Sequence, residues 1–191
     1  MNLFIDTSNW NLILILEKDN KIIDQFVLKD TKKVSDVFIP NLQEMLKKNN
    51  LTIHDITNLY VTTGPGSYTG ERVGLTMVKT LKTLNVKYNV YVINSLLYQA
   101  GMNKKISLLD ARGKKYYLGI YDNAEPQVQE QLISIEDLDK EYLNNEAWSS
   151  YQVVKDYQDL DFSANYLALK PKFELIENPE LLKPTYLKNF I

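Results

Sequence analysis

GPGSYTGERVG, residues 64–74, decides the fold, because this short stretch holds four of the chain's seven glycines and one of its two arginines. A β-rich run over residues 59–63 leads into it, and an amphipathic run over residues 73–84 leads out of it. The pattern predicts a strand, a loop and a helix in succession, a junction where α/β folds place ligand sites. Glycine tolerates positive φ and a helix start carries partial positive charge, so the loop suits an anion or a closely packed backbone.

The loop carries neither of the common nucleotide fingerprints. It lacks the Gly-Lys-Ser/Thr ending of a P-loop, and its first glycines follow the spacing G-x-G-x-x-x-G instead of G-x-G-x-x-G. A tight turn whose glycines permit close packing of helix on sheet is therefore as good an interpretation as direct ligand contact. Glu71 also disfavours a phosphate at this helix start, because its charge has the same sign.

Composition indicates an ordinary globular protein. The 191 residues are 45% hydrophobic and 24% charged, which suffices for one sizeable core or two small lobes. A net charge of −2 provides no general attraction to nucleic acid. The absence of cysteine excludes disulfides and thiolate chemistry, and no apolar run is long enough to span a bilayer. We expect a cytoplasmic protein with no signal peptide and no membrane contact.

The first half of the chain alternates between strand and helix patterns. Three strands open it, with a hairpin turn at Asp19 and Asn20, and helical spacing then begins at Val34 and runs through Pro40. The order β-β-β-α-β-α-β is typical of the mixed sheets in ribonuclease-H-like and actin-like ATPase lobes. The predicted bounds of these seven elements are 2–7, 11–17, 21–28, 34–48, 59–63, 69–84 and 89–93.

The second half repeats the first in outline. A shift of 104 positions places Asp110 on Asp6, and both aspartates follow a predicted strand and precede another. A further strand at residues 127–133 and a helix at residues 135–143 come next. We therefore predict an α/β fold of the actin-like ATPase class with mixed sheets in two lobes. The first lobe spans residues 1–103, and the second, reduced lobe spans residues 104–191 and ends in a C-terminal tail.

Few side chains suit catalysis or metal binding. His54 is the only histidine, which excludes a histidine metal cluster and leaves a Ser-His-Asp arrangement without support. Asp6 and Asp110 follow strands, where a lone aspartate commonly anchors a turn. Arg72 and Arg112 lie in glycine-containing turns after strands, where each could clamp a carboxylate or phosphate or pair with one of these aspartates. A metal site made of carboxylates alone is left open, although neither Asp6 nor Asp110 has an acidic partner nearby in the sequence.

The helix after the glycine loop has apolar residues on two sides. At about 100° per residue, one face holds Val73, Met77, Leu81 and Leu84, and Leu75 and Val78 lie opposite. A helix that covers a sheet needs one apolar face. The second face predicts a second cover, which is the helix beginning at Val34, another subunit, or both.

Four segments, in order from one end of the chain to the other, match the motifs of one protein family. IDTS at residues 5–8, the glycine loop, LDAR at residues 109–112 and PTYLK at residues 184–188 resemble the IDTS, GPGSFTGLRIG, LLDARRGEVY and PxYLR motifs of the TsaB family, formerly YeaZ. Some departures from the family's usual residues matter for the interpretation. Glu71 replaces a usual leucine, Lys188 a usual arginine, and Val34 a histidine found in many members.

The resemblance implies an actin-like ATPase fold and a non-catalytic role in forming threonylcarbamoyladenosine in tRNA, next to the anticodon. It implies pairing with TsaD, the metal-bearing transferase, and with the ATPase TsaE in a larger complex. A homodimer is expected when the chain is alone, and contact with tRNA is expected to be indirect or weak. No cofactor is expected to bind tightly, although ATP or ADP could lie at the junction with TsaD.

The resemblance also places the partner interface on the two helices of the first lobe. The predicted interface residues are Val34, Phe38, Leu42, Met45, Val73, Met77 and Leu81, each with the first-lobe core as its alternative place. The predicted loop residues, with nucleotide or interface contacts, are Asp6, Thr7, Ser8, Gly64, Gly66, Ser67, Glu71, Arg72, Asp110 and Arg112. Glu71 is expected to form a salt bridge across that interface.

An actin-like-fold ATPase or small-molecule kinase is the alternative, since Asp6 and Asp110 occupy equivalent turns. The sequence after Thr7 and Ser8 argues against a kinase, because Trp10 lies where kinases of this fold need a glycine in a tight phosphate-binding hairpin. A peptidase, suggested by the older naming of relatives, has neither a metal cluster nor a catalytic triad to work with.

Overall fold

The strand and helix patterns of the sequence form two mixed β-sheets. The computed structural model describes residues 1–187. Its strands are β1 (Asn2–Asp6), β2 (Leu12–Lys18), β3 (Lys21–Leu28), β4 (Asn58–Thr62), β5 (Asn89–Ile93), β6 (Lys105–Asp110), β7 (Lys115–Asp122), β8 (Glu125–Pro126), β9 (Gln131–Ser134), β10 (Gln152–Lys155) and β11 (Glu174–Ile176). Its helices are α1 (Val34–Lys48), α2 (Tyr68–Leu84), α3 (Ser95–Ala100), α4 (Ile135–Leu138) and α5 (Phe162–Leu169).

The first sheet has the strand order β11-β5-β4-β1-β2-β3. β1 pairs antiparallel with β2 and parallel with β4, which pairs parallel with β5. Parallel neighbours need a crossover, which α1 and α2 supply. The hairpin between β2 and β3 turns at Asp19 and Asn20, whose φ values of 53° and 60° are those of a tight hairpin turn. The seven elements predicted for this half agree with the structure to within one residue at each end, and Pro40 lies inside α1.

The second sheet repeats this arrangement on a smaller scale. β6 pairs antiparallel with β7 and parallel with β10, as β1 does with β2 and β4, and β9 pairs antiparallel with β7, as β3 does with β2. Asp6 and Asp110 end the first strand of each sheet. The duplicated, two-lobed actin-like fold is confirmed, with β10 at the edge of the second sheet. The helix predicted at residues 135–143 is α4 and a π-helical turn that follows it.

The two faces of the first sheet have different covers. α1 and α2 pack on one face, against Leu14, Val61 and their neighbours. The other face meets the second sheet across a core rich in aromatic residues from both halves of the chain. Phe4 stacks against Tyr166 with ring centroids 5.2 Å apart, and Phe173 lies edge-on to Tyr60 at 5.1 Å. This inner core joins the two lobes.

The C-terminal part of the chain returns to the first lobe. β6 begins at the predicted boundary, but β11 pairs antiparallel with β5 and so completes the first sheet from residues far beyond it. α5 contributes the fully buried Tyr166 to the aromatic core between the sheets. Residues 104–187 therefore do not form a lobe that packs only on itself. Short elements without a clear period, α3, α5, β10 and β11, are absent from the sequence prediction.

Candidate functional site

The glycine loop packs against the turn that follows β1. Ser67 donates its backbone N–H to the Ser8 carbonyl at 2.6 Å, and the Thr7 hydroxyl donates to the Gly70 carbonyl at 2.6 Å. A Cβ at Gly66 would lie 2.2 Å from the Ser8 carbonyl oxygen, and a Cβ at Gly70 only 2.0 Å from that of Thr7. These glycines therefore permit direct backbone contact between the two motifs, as the packing interpretation predicts.

Asp6 lies at the centre of this joint and its carboxylate accepts four hydrogen bonds. It is 1% exposed. Its Oδ1 accepts hydrogen bonds from the backbone N–H and hydroxyl of Ser8 and from the hydroxyl of Thr62, each at 2.7 Å. Its Oδ2 accepts from the Tyr157 hydroxyl, also at 2.7 Å. Asp6 thus anchors β1, β4 and the second half of the chain, with few lone pairs left for a metal or a phosphate-bound water.

Ser8 extends the hydrogen-bond network towards α3. The Ser95 hydroxyl donates to the Ser8 hydroxyl at 2.8 Å, and the Ser95 backbone N–H donates to the Gly64 carbonyl at 2.7 Å. Both serines are fully buried. Because Ser95 starts α3, which the sequence prediction lacks, this part of the network was not foreseen, nor was the contact from Tyr157.

Glu71 points into the protein instead of towards a partner. Its side chain is 3% exposed, its Oε2 has no hydrogen-bond partner among residues 1–187, and its Oε1 lies against Gly64, whose φ is +94°. Burial raises the pKa of the Glu71 carboxyl to about 7, against the opposing effects of the Gly66 N–H and the Arg72 charge. In the isolated chain this carboxylate lies on the buried side of α2, so the salt bridge across an interface stays a prediction that would need the side chain to turn outward.

Arg72, the next residue of α2, lies among aromatic rings. Its guanidinium carbon is 3.4 Å from the centroid of the Tyr68 ring and 5.5 Å from that of Tyr186. Thr185 donates its backbone N–H to the Thr63 carbonyl at 2.8 Å. The C-terminal motif thus packs beside the glycine loop, and Arg72 makes cation–π contacts there instead of pairing with Asp6. Lys188, the remaining motif position, lies outside the described residues.

The equivalent turn in the second lobe is more open. Asp110 is exposed, its Oδ1 accepts from the Arg112 backbone N–H at 2.8 Å, and its own N–H donates to Asp156 Oδ1 at 2.7 Å. Burial raises the pKa of the Asp156 carboxyl. The Arg112 guanidinium carbon lies 4.5 Å from a ring centroid of Trp10. Arg112 of the second lobe therefore contacts Trp10 of the first lobe. The Asp110 carboxylate stabilises the turn after β6.

A cleft of about 310 Å³ separates the two turns. The glycine loop and the turn after β6 face each other across it, and Trp10 and Tyr117 complete its walls. The structure thus brings Gly66, Ser67, Asp110 and Arg112 to one cleft, while Asp6, Thr7 and Glu71 lie buried behind the loop. The loop residues form a structural joint, and only its outer surface faces solvent.

The predicted interface residues divide between the two helices. Val34, Phe38, Leu42 and Met45 are 6%, 2%, 3% and 4% exposed and pack in the core under α1. In the isolated chain α1 uses its apolar face on the sheet, and exposing Phe38 alone would cost roughly 2 kcal/mol. They occupy the alternative place, the first-lobe core.

On α2 the sheet-facing side is the one with Gly74, Leu75 and Val78. Val73, Met77 and Leu81 are half-buried on a neighbouring, more outward side, and Leu84 is 79% exposed. We call Val73, Met77, Leu81 and Leu84 the outer face of α2. It is an apolar strip that the chain itself covers only in part.

The described residues offer neither a metal centre nor a membrane span. No group of three His, Cys, Asp or Glu side chains within residues 1–187 is arranged to hold a metal ion. His54 is exposed in the short turn Ile53–Asp55, where Thr52 donates to the Asp55 carboxylate from both its N–H and its hydroxyl, as a helix cap does. None of the helices in these residues has the length and hydrophobicity that crossing a bilayer requires.

Comparison with known proteins supplies a family. Residues 21–174 match the family model described as TsaD, tRNA N6-adenosine threonylcarbamoyltransferase. An uncharacterized protein of Mycoplasma pneumoniae is 30% identical over 98% of this chain and 94% of its own length. The tRNA threonylcarbamoyladenosine biosynthesis protein TsaB of Bacillus subtilis is 30% identical over 62% of this chain and 54% of its own length.

Solved structures show the same fold over nearly all of the chain. YeaZ from Pseudomonas aeruginosa superposes with a TM-score of 0.74 at 15% identity, covering 97% of this chain and 99% of that one. An uncharacterized protein with similarity to the peptidase YeaZ of that organism gives a TM-score of 0.77 at 17% identity, covering 98% and 99%.

Proposed function

The chain belongs to the TsaB (YeaZ) family, and from this premise we propose that it is a non-catalytic partner subunit of a TsaD homologue in forming threonylcarbamoyladenosine in tRNA. The family model and the Bacillus subtilis relative both carry the name of this modification. One observation in the structure favours a partner role above others: the outer face of α2.

The outer face of α2 has the character of a docking surface. Leu75 and Val78 cover the sheet, whereas Val73, Met77 and Leu81 pack against the core only in part and leave apolar area in water that a partner could cover. Desolvating such a strip against another chain would contribute about 25 cal/mol per Å² of apolar area. The glycine joint fixes the start of α2, so the strip is presented on a rigid element, as specific docking requires.

The surroundings of Asp6 favour a non-catalytic role. A TsaD-type reaction uses a histidine-bound metal, and a chain with one histidine cannot supply two. The turn where actin-like enzymes hold phosphates is filled by the backbone of Gly66, and the Asp6 carboxylate is already bound by four donors. The TsaD homologue would therefore bring the metal and the reacting groups.

Further assembly follows from the same premise. We propose a homodimer through the outer face of α2 when the chain is alone, displaced by the TsaD homologue, with TsaE joining the larger complex. ATP or ADP would lie at the junction of the two chains, tRNA contact would be indirect or weak, and the complex would work in the cytoplasm.

The test is a titration of the TsaD homologue from the same cell with this chain. We expect a complex on a sizing column and more threonylcarbamoyladenosine in tRNA as the chain is added. The proposal fails if no complex forms and the modification does not respond.

The alternative, an ATPase or small-molecule kinase, rests on Asp6 and Asp110 at equivalent strand ends. Steady ATP hydrolysis by the isolated chain would support it if Asp6→Asn abolished that hydrolysis. The wild type, Asp6→Asn and Asp110→Asn would be compared after folding of all three had been shown to be equal. With Asp6 enclosed in the joint, we expect no such turnover.

A further inference from the structure

Glu71 is buried where an acidic side chain is costly. Carboxylates are common in the first turn of a helix when they face solvent, because the partial positive charge there favours them. Glu71 instead lies on the side of α2 that faces the glycine loop, 3% exposed, with its Oε1 against Gly64. A leucine, the residue usual in the resembling motif, would fill the same space without a charge.

Few groups near Glu71 can stabilise its negative charge. From the loop, the Gly66 backbone N–H faces the carboxyl. From its own helix, Arg72 exerts an attraction, but its guanidinium is occupied by the rings of Tyr68 and Tyr186. From the second sheet, the Tyr117 side chain is close enough for its pKa to be raised by Glu71 as well as by its own burial. The Oε2 atom has no partner among residues 1–187.

We propose that Glu71 is a proton-operated switch in the joint between the glycine loop and α2. The neutral carboxyl packs against Gly64 and keeps the joint closed. The ionised carboxylate must find water or the Arg72 guanidinium, and either movement takes it away from Gly64. Pairing with Arg72 would also loosen the contacts of that guanidinium with Tyr68 and Tyr186. Since the pKa of this carboxyl is raised to about 7, the change falls at neutral pH.

The switch would operate in the isolated chain, so it does not depend on docking to a TsaD homologue. Its test is a pH titration from 5.5 to 8.5, followed by amide resonances, of a His54→Gln background that lacks the only histidine. We expect the Gly64, Gly66 and Gly70 amides to shift together with a midpoint near pH 7, and the shift to disappear in Glu71→Gln. Glu44→Gln, which changes an exposed glutamate of α1, should leave it intact.

Two further measurements keep the test decisive. If Glu71→Gln does not fold, Glu71→Leu replaces it, because leucine suits the apolar surroundings. The side-chain carboxyl resonance of Glu71 in the wild type reports its titration directly, without any substitution at that position. A carboxyl midpoint near 4.5, or loop shifts that persist in Glu71→Leu, would overturn the proposal.

Discussion

The hydroxyl of Tyr157 donates to Asp6 at 2.7 Å, across 151 residues of chain and between the two sheets. Both side chains are buried, and burial, followed by the charge of Asp6, raises the pKa of Tyr157 well above its ordinary value. The phenol therefore stays a donor at every working pH. The first β-strand and the turn after β10 depend on each other through this bond.

Tyr157→Phe removes that donor and leaves one carboxylate oxygen of Asp6 buried without it. We expect the free energy of unfolding to fall by about 2–3 kcal/mol, since a hydrogen bond to a charged group is lost. Urea unfolding measures the change. Tyr151→Phe, at a half-buried ring on the second sheet, is the matched control and should cost less than about 1 kcal/mol. Equal losses in the two variants would argue against the role given to the bond.

Gly66→Ala and Gly70→Ala place a Cβ 2.2 Å and 2.0 Å from backbone carbonyl oxygens. Backbone cannot move aside as a flexible side chain can, so we expect each substitution to cost more than about 3 kcal/mol. Thermal unfolding and solubility are the measurements. Gly113→Ala is the control, because the added Cβ would meet no atom within 4 Å. Only the φ of +65° at this position disfavours alanine, so we expect a loss of about 1 kcal/mol.

The raised pKa of Glu71 makes stability depend on pH. Its folded value of about 7 lies above the ordinary 4.5, so the folded state holds a proton that the unfolded state releases between those values. The stabilisation is complete below about pH 4.5 and is lost as pH rises to about 7, a change of roughly 3 kcal/mol at about 1.4 kcal/mol per pH unit. Urea unfolding from pH 5 to 8 should show this decline in the wild type and a flatter profile in Glu71→Gln. Parallel profiles would contradict it.

Lys170 neutralises a carboxylate that is fully buried. Burial alone would raise the pKa of Glu17, but hydrogen bonds from Lys170, Asn2 and Asn20 hold it below its usual range. The Lys170 ammonium lies 2.7 Å from Glu17 Oε2, with 20% and 0% of the two side chains exposed. We expect Lys170→Ala to cost about 3 kcal/mol, because an unpaired charge stays buried.

Lys172 provides the comparison for Lys170. It pairs with Glu125 at 2.6 Å, but the two side chains are 35% and 64% exposed. Such a pair contributes at most about 1 kcal/mol. Lys172→Ala should therefore have a small effect in the same urea series, and a loss as large as that of Lys170→Ala would show that burial does not separate the two pairs.

Met77→Glu introduces a charge on the outer face of α2. We expect at least a tenfold weaker complex with the TsaD homologue, with little change in the unfolding of the isolated chain, because Met77 is only half-buried. Thr83→Glu adds the same charge at an exposed position on another side of α2 and should bind as the wild type does. Calorimetric titration of both variants measures the difference. Equal affinities would remove the outer face of α2 from the interface.

Periodicity was sufficient for the first half of the fold because β1, β2 and β4 are continuous apolar runs, β3 alternates, and α1 and α2 are long. It was insufficient for α3 and α5, which have six and eight residues and owe their place to contacts with both sheets. One strand of the second sheet also differs from its prediction. Residues 127–133 were predicted as a strand, whereas β9 covers Gln131–Ser134.

Hydrophobicity alone did not show which side of α2 meets the sheet, because the helix has apolar residues on two sides. Gly70 and Gly74 mark the sheet-facing side, because only glycine lets the helix start approach Thr7 so closely. The two motifs could be recognised singly from the sequence. Their contact, like the one between Tyr157 and Asp6, joins residues too far apart in the chain for any local pattern to reveal.

β11 gives the fold an order of assembly on the ribosome. β5 remains an open edge, and the aromatic core beside β1 and β4 lacks Tyr166 and Phe173, until residue 176 has left the exit tunnel. An unpaired strand edge and an apolar face invite association with other chains, so we expect nascent forms that have not yet released residue 176 to need chaperones.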